Sequence, residues 1–413
     1  MMLVARWWRT TEPAITRVSR SPLRVAPAAL LIHAMLILPS LARHGFDASY
    51  FIVAGDRYVS AGQTPAPVNI RPHSDGYDGQ FYYRLALAPF STADRVGGVA
   101  FDHPAWRMQR ILVPLLVRLL SLGNAAAVPW AFIGLNLAAV LAIASMAALL
   151  ARHYSLPWIA PVAIAFWPGW QIALERDTTE IIATALLLAA VTAYMRQRVA
   201  LYTVLLALAT LARETAILAG TGILLVEGWR LLRGPSARQW GRAGCAFLAL
   251  LPFLIWRQII ATRWQGAAQA HGIAHNTGWP LLGWLQAIAA NILNRGVGAA
   301  PAPHGRMMRL TILAGIAMVT LAMIPMLRAA WKSLADVKAA GVALGWLLMA
   351  ALMAVLTANG PLIDATAYFR ALSEFWVLGW IVLASSKAVH GRPIVRPIPW
   401  LLLVCTAGSI QLR

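Results

Sequence analysis

The stretch HSDGYDGQFYYRLALAPF, residues 73–90, decides how this chain is organised, because it is polar and aromatic where the flanking sequence is apolar. A second stretch, FDHPAWRMQRILVPLLVRLL at 101–120, adds one histidine and three arginines. Both belong to a segment of about residues 44–126 that separates the first strongly apolar segment from the second. A long loop of this composition between apolar helices indicates chemistry at a membrane surface.

The composition is that of an integral membrane protein. Of the 413 residues, 60% are hydrophobic and 12% are charged, and the mean hydropathy is +0.65. Apolar runs near the ~20 residues needed to cross a bilayer recur almost to the last residue. The predicted fold class is therefore an all-α, polytopic transmembrane helical protein without a separate soluble domain.

The formal net charge of +20 follows the positive-inside pattern rather than the pattern of a nucleic-acid-binding protein. Most basic residues lie in short clusters between apolar runs, and the cluster from Arg6 to Arg24 predicts a cytoplasmic N-terminus. High Ala, Arg and Trp usage indicates a bacterial source. The predicted location is the bacterial inner membrane, with membrane lipids around the helices, an active site facing the periplasm, and no nucleic-acid partner.

The alternation of apolar and polar segments predicts about eleven spans. They are placed at 26–42, 127–151, 156–170, 179–195, 200–213, 215–232, 243–262, 308–328, 337–357, 370–387 and 397–411. The predicted organisation has three parts: a basic cytoplasmic N-terminus at 1–25, a catalytic transmembrane module at 26–262 that includes the first outside loop at 44–126, and a C-terminal part at 263–413. This last part contains a second outside loop and variable spans.

Under this topology the polar exceptions to the apolar pattern collect at the outer edge of the membrane, which predicts a functional site there. They are Asp75, Asp78, His103, Arg107, Arg110, Glu175, Asp177, Glu180, Arg213, Glu214, Asp364 and Arg370. Within the first loop, MQRILVPLLVRLLSL predicts an interfacial helix rather than a span. An arginine at the bilayer centre would cost roughly 2.5–3.5 kcal/mol.

Asp78 precedes Gly79 and a helical pattern, so its carboxylate either caps the helix or accepts a proton from a substrate hydroxyl. Asp75 shares that task, orients Asp78, or forms a turn with Gly76. Both are the candidate catalytic residues.

Asp177 and Glu180 have the spacing of a capping box, and capping alone would explain both acids. Arg213 and Glu214 interrupt the apolar sequence ALATLARETAILAG. Either they form an ion pair within the membrane, or Arg213 binds a phosphate and is oriented by Glu214.

Arg107 and Arg110 lie three residues apart, so they share a helix face, where they bind a phosphate or extend towards lipid headgroups. Several aromatic side chains either stack on a sugar or belong to the interfacial belt. They are Tyr82, Tyr83, Trp106, Trp167 and Trp170. The predicted substrate contacts are Tyr82, His103, Arg107, Arg110, Asp177, Glu180, Arg213, Glu214 and Arg370.

No cofactor is predicted. Cys245 and Cys405 both lie inside apolar runs, so neither a disulfide framework nor a thiolate metal site is supported. His271, His275 and His304 lack a compact metal-ligand spacing. Nucleotide-binding fingerprints and a G-x-S-x-G elbow are also missing from the sequence. A divalent metal is possible but nothing in the sequence indicates one.

The order of these pieces resembles the GT-C superfamily of membrane glycosyltransferases, which includes the protein O-mannosyltransferases, the aminoarabinose transferases and the GPI mannosyltransferases. The matching text is DGQFYYRLA and HPAWRMQRILVPLLVRLL in the first loop, then ERDTTE and TLARETAIL. The resemblance covers about residues 26–235. One departure is the D-x-x-D spacing, where members of the superfamily often show adjacent acids or a D-x-D or E-x-D pair.

This resemblance implies an inverting transfer of a sugar from a polyprenyl-phosphate donor to a hydroxyl of a lipid, glycan or protein acceptor. It implies Asp78 as the general base, Asp177 as a second outside acid, and Arg213 or Arg370 as a ligand of the lipid phosphate. Two alternatives stay open: a transporter or flippase of lipid-linked saccharides, and an O-antigen polymerase or ligase.

We expect Asp78→Asn to abolish sugar transfer while the protein still inserts and folds, because the amide cannot accept the hydroxyl proton. The measurement is turnover of a lipid-linked sugar by purified protein. Turnover near that of the unsubstituted protein would exclude Asp78 as the base.

Overall fold

The computed structural model describes residues 19–264, 277–296, 305–358, 362, 364–386, 401–402 and 405–406. This part of the chain is mostly helical, and its strands are two-residue segments. The helices are α1 (Pro22–Arg43), α2 (Asp78–Leu87), α3 (Pro104–Arg107), α4 (Leu112–Ser121), α5 (Val128–His153), α6 (Ile159–Ala165), α7 (Pro168–Leu174), α8 (Glu180–Met195), α9 (Val199–Ala212), α10 (Ala216–Arg233), α11 (Ala237–Arg263), α12 (Leu282–Leu293), α13 (Arg306–Ser333), α14 (Ala340–Ala354), α15 (Ala365–Ala371) and α16 (Ser373–Ser385).

Four of these helices are long and apolar enough to cross a membrane: α1, α5, α11 and α13. This agrees with an all-α membrane protein. Several other predicted spans coincide with apolar helices of 10–17 residues, including α8, α9, α14 and α16. Because a perpendicular crossing takes ~20 residues, the number of spans stays a prediction. Most of the predicted span at 397–411 lies outside the described residues.

The predicted span 156–170 is not one continuous helix. α6 ends at Ala165, and α7 begins at Pro168, which occupies the first helical position after the extended residue Trp167. Proline is favoured there because it has no N–H to leave unpaired. The Trp167 indole donates to the carbonyl of Phe369 over 2.9 Å, so this break joins α7 to α15.

The first loop holds two small sheets beside α2. Strands β1 (Ala54–Gly55) and β2 (Ile70–Arg71) pair in parallel, and β3 (Arg95–Val96) pairs antiparallel with β4 (Val99–Ala100). The predicted interfacial helix is α4, which buries Val113 and Val117 and exposes Leu119 and Leu120, followed by the exposed C-cap residue Leu122. Its Arg118 donates to the carbonyl of Leu87 and so ties α4 to the end of α2.

A small-residue contact holds α10 against α14. A Cβ on Gly222 of α10 would lie 2.1 Å from the backbone N of Gly345, and a Cβ on Gly345 would lie 2.7 Å from Cα of Ala219. Gly341 and Gly345 form a G-x-x-x-G pattern, which allows helix backbones to approach closely in a membrane. This contact fixes the helix that follows Glu214.

We expect Gly222→Ala to lower the stability of the protein by about 1–3 kcal/mol, because its methyl group would meet backbone atoms that cannot move aside. Gly228→Ala is the matched control on the same helix, since within the described chain a Cβ there meets nothing within 4 Å. Thermal unfolding in detergent measures both. Equal midpoints for the two variants would contradict the close contact.

Candidate active site

Three guanidinium groups converge on the carboxylate of Asp78. Arg107 places Nη1 2.6 Å from Oδ1, and Arg370 places Nη2 3.1 Å from Oδ2. Arg110 places Nη1 4.0 Å from Oδ2. The Asp78 side chain keeps 17% of its surface exposed, so it is held by the arginines yet stays partly accessible.

Two of these arginines are each fixed by a second carboxylate. Arg107 binds Asp102 through Nε (2.9 Å) and Nη2 (2.6 Å), which leaves Nη1 directed at Asp78. Arg110 binds Glu214 in the same two-point manner, at 2.8 and 2.7 Å. Two-point pairing holds the plane of a guanidinium and adds geometric specificity to its charge. Asp102 and Glu214 are therefore positioning residues for the arginines.

The third arginine belongs to a deeper layer. Arg370 donates through Nη1 to Glu180 at 2.9 Å, and Glu180 also lies 4.0 Å from Nε of Arg213. Arg213 donates to Glu374 at 3.1 Å, and the Thr215 hydroxyl donates to the same carboxylate. Glu180 is only 1% exposed, so this layer is closed to solvent. These side chains, with Asp78, Asp102, Glu214, Arg107 and Arg110, form what we call the Asp78 cluster.

Aromatic rings line the cluster. Arg370 lies over the ring of Tyr77 at 4.7 Å and donates to its hydroxyl at 3.0 Å. Arg107 lies over the ring of Phe81 at 4.5 Å, and Arg110 donates to the hydroxyl of Tyr82 at 2.8 Å. Burial raises the pKa of Tyr82 to about 12, so its hydroxyl stays neutral.

The arginines dominate the electrostatics of the accessible acids. Burial by itself would raise the pKa of Asp78, but the charges of Arg107, Arg370 and Arg110 outweigh it and hold that pKa well below its ordinary value. Burial is likewise opposed at Glu214, where the charge and hydrogen bonds of Arg110 lower the pKa to about 2. Both carboxylates are therefore ionised at neutral pH.

The local backbone explains how Asp78 reaches the arginines. Tyr77 is the N-cap of α2, and its side chain makes no capping hydrogen bond. Asp78 is the first helical residue. The interpretation of Asp78 as an N-cap was wrong, because its carboxylate is directed to the arginines. Gly76 has φ +65°, and a Cβ on Gly79 would lie 2.4 Å from the carbonyl oxygen of Arg176. The loop can lie this close to the backbone of Arg176, just after α7, only with glycine at position 79, while Gly76 provides the left-handed turn before Tyr77.

Polar atoms without partners distinguish this cluster from a purely structural one. Within the described part of the chain, four buried atoms of the deeper layer have no hydrogen-bond partner: Oε2 of Glu180, Nε of Arg213, Nε of Arg370 and Oε1 of Glu374. Buried polar groups in proteins are normally paired, and unpaired ones are frequent where a ligand or water binds. The Asp78 cluster thus has unused capacity for a polar ligand.

A second buried ionic cluster lies around Glu227, near the other end of α10. Its Oε1 accepts from Tyr194 (2.6 Å), Arg230 (2.9 Å) and Arg242 (2.7 Å), and Oε2 accepts from Arg242 (2.8 Å). Glu227 follows Glu214 by thirteen residues, roughly 20 Å along a helix. The expectation that buried charges collect at only one end was incomplete. Here both carboxylate oxygens are paired, which favours a structural role.

The structure brings most of the predicted site residues together. Those in the cluster are Asp78, Tyr82, Arg107, Arg110, Glu180, Arg213, Glu214 and Arg370. Asp75 is separate: its side chain is 69% exposed and pairs with Arg57 at 2.9 Å. His103 is the N-cap of α3, next to Asp102. Their proposed roles stay predictions.

Several alternative interpretations were wrong. Thr179, not Asp177, is the N-cap of α8, and it makes no capping bond, so Asp177 and Glu180 do not form a capping box. The side chains of Arg213 and Glu214 bind other residues, so they are not a simple pair. Arg107 and Arg110 are only 17% and 11% exposed and pair with Asp102 and Glu214, so they do not extend towards lipid headgroups. Finally, the interfacial-belt interpretation was wrong for four aromatic residues that are buried in the core: Tyr82, Tyr83, Trp167 and Trp170.

The residues in or around the cluster that the sequence did not reveal include Glu374, Asp102, Thr215 and Tyr77. Glu374 interrupts the apolar run at 370–387 as Arg213 interrupts its own run, so the same signal would have found it. Asp102 and Tyr77 lie among other polar residues of the first loop, where nothing in the sequence marks them. The described residues contain no group of three or more His, Cys, Asp or Glu placed to hold a metal ion. His271, His275 and His304 lie outside the described residues.

No protein-family model, curated protein or solved structure matches this chain. Function is therefore inferred from the chemistry of the Asp78 cluster.

Asp177 is fully buried at φ +46°, and among the described residues neither of its carboxylate oxygens has a hydrogen-bond partner. Burial raises its pKa well above the ordinary value. The contribution of Asp177 to the stability of the fold is fully present at pH values below its unfolded-state pKa, near 4. As the pH rises towards its folded-state pKa, this contribution is lost. Asp177 therefore costs stability at neutral pH.

We expect Asp177→Asn to raise the unfolding temperature at pH 7 by at least ~2 °C, with a smaller gain at pH 5. Asp102→Asn should have the opposite sign, because it removes a partner of buried Arg107. Thermal scans across pH 5–8 measure both. A destabilised Asp177→Asn protein at pH 7 would show that the Asp177 carboxylate is charged and paired.

Proposed function

We propose that this chain is an inverting membrane glycosyltransferase that transfers a sugar from a polyprenyl-phosphate donor to an acceptor hydroxyl, with Asp78 as the base. The supporting observation is the convergence of Arg107, Arg110 and Arg370 on one accessible carboxylate. Such a site combines cationic groups for a phosphate with an acceptor for a proton. The resemblance of the first loop to GT-C enzymes supports the same proposal.

The chemistry needs few groups. The acceptor oxygen attacks C1 of the sugar, the bond between C1 and the phosphate oxygen breaks, and the polyprenyl phosphate leaves with the electron pair. The hydroxyl proton passes to the carboxylate of Asp78. The arginines stabilise the charge that develops on the departing phosphate. A single displacement from the opposite face inverts the configuration at C1.

The position of the cluster suits a lipid donor. Arg107 and Arg110 flank the buried residue Met108, whose carbonyl accepts a bond of 2.8 Å from Trp256 of α11. α11 is one of the four helices able to cross a membrane, and its Leu254 and Ile255 are exposed. We infer that the prenyl chain stays among such apolar surfaces while its phosphate reaches the arginines, on the periplasmic side of a bacterial inner membrane.

Transport of a lipid-linked saccharide is the second candidate. The Glu227 cluster favours it, because a transporter needs charged groups towards both faces of the membrane. Against it, Glu227 is fully paired with its own arginines and tyrosine.

The decisive experiment incubates purified protein with a panel of polyprenyl-phosphate sugars and a mixture of acceptors. Transfer predicts that one donor is consumed and polyprenyl phosphate is released. If no donor is consumed and intact lipid-linked sugar instead crosses the bilayer of a reconstituted vesicle, the transporter candidate is correct.

Arg370→Lys should lower transfer by roughly 10²-fold, because lysine keeps the charge but cannot bind Glu180, Tyr77 and the phosphate from one rigid plane. Arg43→Lys is the control, since Arg43 is exposed at the end of α1 and donates to the carbonyl of Pro39. Equal rates for the two variants would argue against a role for the Arg370 guanidinium.

A further inference from the structure

The arginines of the Asp78 cluster have no positive charge to spare. Four arginines face five carboxylates within hydrogen-bonding or ion-pairing distance: Asp78, Asp102, Glu180, Glu214 and Glu374. A phosphate added to this set would bring a further negative charge into a largely buried site, where an uncompensated charge is very costly. Binding of an anionic group therefore requires that one carboxylate gives up its place.

The geometry identifies which carboxylate can do so. Asp102 and Glu214 each hold one arginine by two hydrogen bonds, and Glu180 is 1% exposed beneath the others. Asp78 instead receives one nitrogen from each of three arginines. Its side chain is 17% exposed, between Asp102 at 14% and Glu214 at 24%, so the bonding pattern rather than the exposure singles it out. When the Asp78 carboxylate moves away, each of the three arginines keeps its other ion pair and stays in place. These pairs are Arg107 with Asp102, Arg110 with Glu214 and Arg370 with Glu180.

We propose that the Asp78 carboxylate occupies the phosphate position of the unliganded protein and that the phosphate of the lipid donor displaces it on binding. This rests on the proposed function and adds to it an order of events. With the arginines around it, Asp78 is too weak a base to accept a hydroxyl proton. Once the phosphate binds the arginines, the released carboxylate becomes a competent base. The hydroxyl proton is therefore abstracted only after the donor has bound.

The exchange has a pH signature. In the unliganded protein, Arg107, Arg110 and Arg370 hold the pKa of Asp78 low; Tyr77 and Tyr82, which also face it, are neutral. In the liganded protein the arginines are taken and a phosphate anion lies nearby, so the pKa rises. Binding is then linked to proton uptake, and affinity increases as pH falls through the pKa of the liganded state.

The test measures equilibrium binding of farnesyl methyl phosphate to the full chain in detergent. This probe is a phosphodiester with one charge at every pH used, and its binding involves no sugar transfer. Asp78→Asn should bind it roughly tenfold more tightly than the unsubstituted protein, because the competing carboxylate is gone. Asp94→Asn, an exposed substitution in the same loop, should leave the affinity unchanged and controls for net charge.

Unchanged or weaker binding by Asp78→Asn overturns the proposal. Farnesol, which lacks the phosphate, must bind the unsubstituted protein and Asp78→Asn with the same affinity. If farnesol gains as much affinity as the farnesyl probe in Asp78→Asn, charge exchange is not the cause and the proposal is overturned. Dimethyl phosphate, which lacks the tail, must bind far more weakly than the farnesyl probe, and equal affinity overturns a lipid donor as the source of the phosphate.

A second measurement serves if Asp78→Asn does not fold. Affinity of the unsubstituted protein for the farnesyl probe should increase from pH 7 to pH 5, and a pH-independent affinity overturns the exchange. The donor panel described above tests transfer separately. If no donor is consumed but the binding results are as expected, the glycosyltransferase proposal is wrong and the exchange of Asp78 for a phosphate stands.

Discussion

The constraint on which this structure depends is the neutralisation of four arginines inside an apolar helical bundle. A buried guanidinium is tolerated only when carboxylates and hydrogen-bond acceptors surround it. Here those acceptors come from segments far apart in the chain: the first loop, the start of α8, the break between α9 and α10, and α15–α16. These ion pairs join the first loop to the helical bundle, and several of the paired residues lie at helix ends.

The charged residues lie where helices are interrupted. Asp78 and Glu180 are the first residues of α2 and α8, and Arg213 is extended between α9 and α10. A helix end leaves backbone groups unpaired and turns the chain, which lets a charged side chain face an interior site while the apolar residues on either side stay in contact with lipid or core. The apolar stretch of α10 then separates the Asp78 cluster from the Glu227 cluster. Among the described residues, the Asp78 cluster has buried polar atoms without a hydrogen-bond partner and the Glu227 cluster has none, which makes the Asp78 cluster the better candidate for binding a polar ligand.

A charge that interrupts an apolar run marks a buried ionic site in this sequence, because burying an unneeded charge in a membrane protein is costly. Arg213 and Glu214 were recognised in this way, and Glu374 carries the same signal. Asp102 carries none: it lies in a polar loop where an aspartate is ordinary, and its role comes only from its two bonds to Arg107. The sequence also does not distinguish the roles of Asp75 and Asp78, because two acids three residues apart in the same loop have similar local sequence surroundings. One pairs with an exposed arginine and the other with buried ones.

Composition and periodicity by themselves determined the class of this protein, the positions of its long apolar helices and the location of several of its unusual charges, whereas the break at 166–167 and the helix Leu282–Leu293 became visible only in the structure. The physical reason is that an apolar solvent tolerates only helices with apolar surfaces, and that rule is local and visible in the order of residues. Tertiary structure alone decided which charges pair, that the arginines are already neutralised, and that Asp78 takes the position we assign to a phosphate. Those outcomes depend on distances between residues as far apart as Asp78 and Arg370, and local sequence patterns contain no information about such distances.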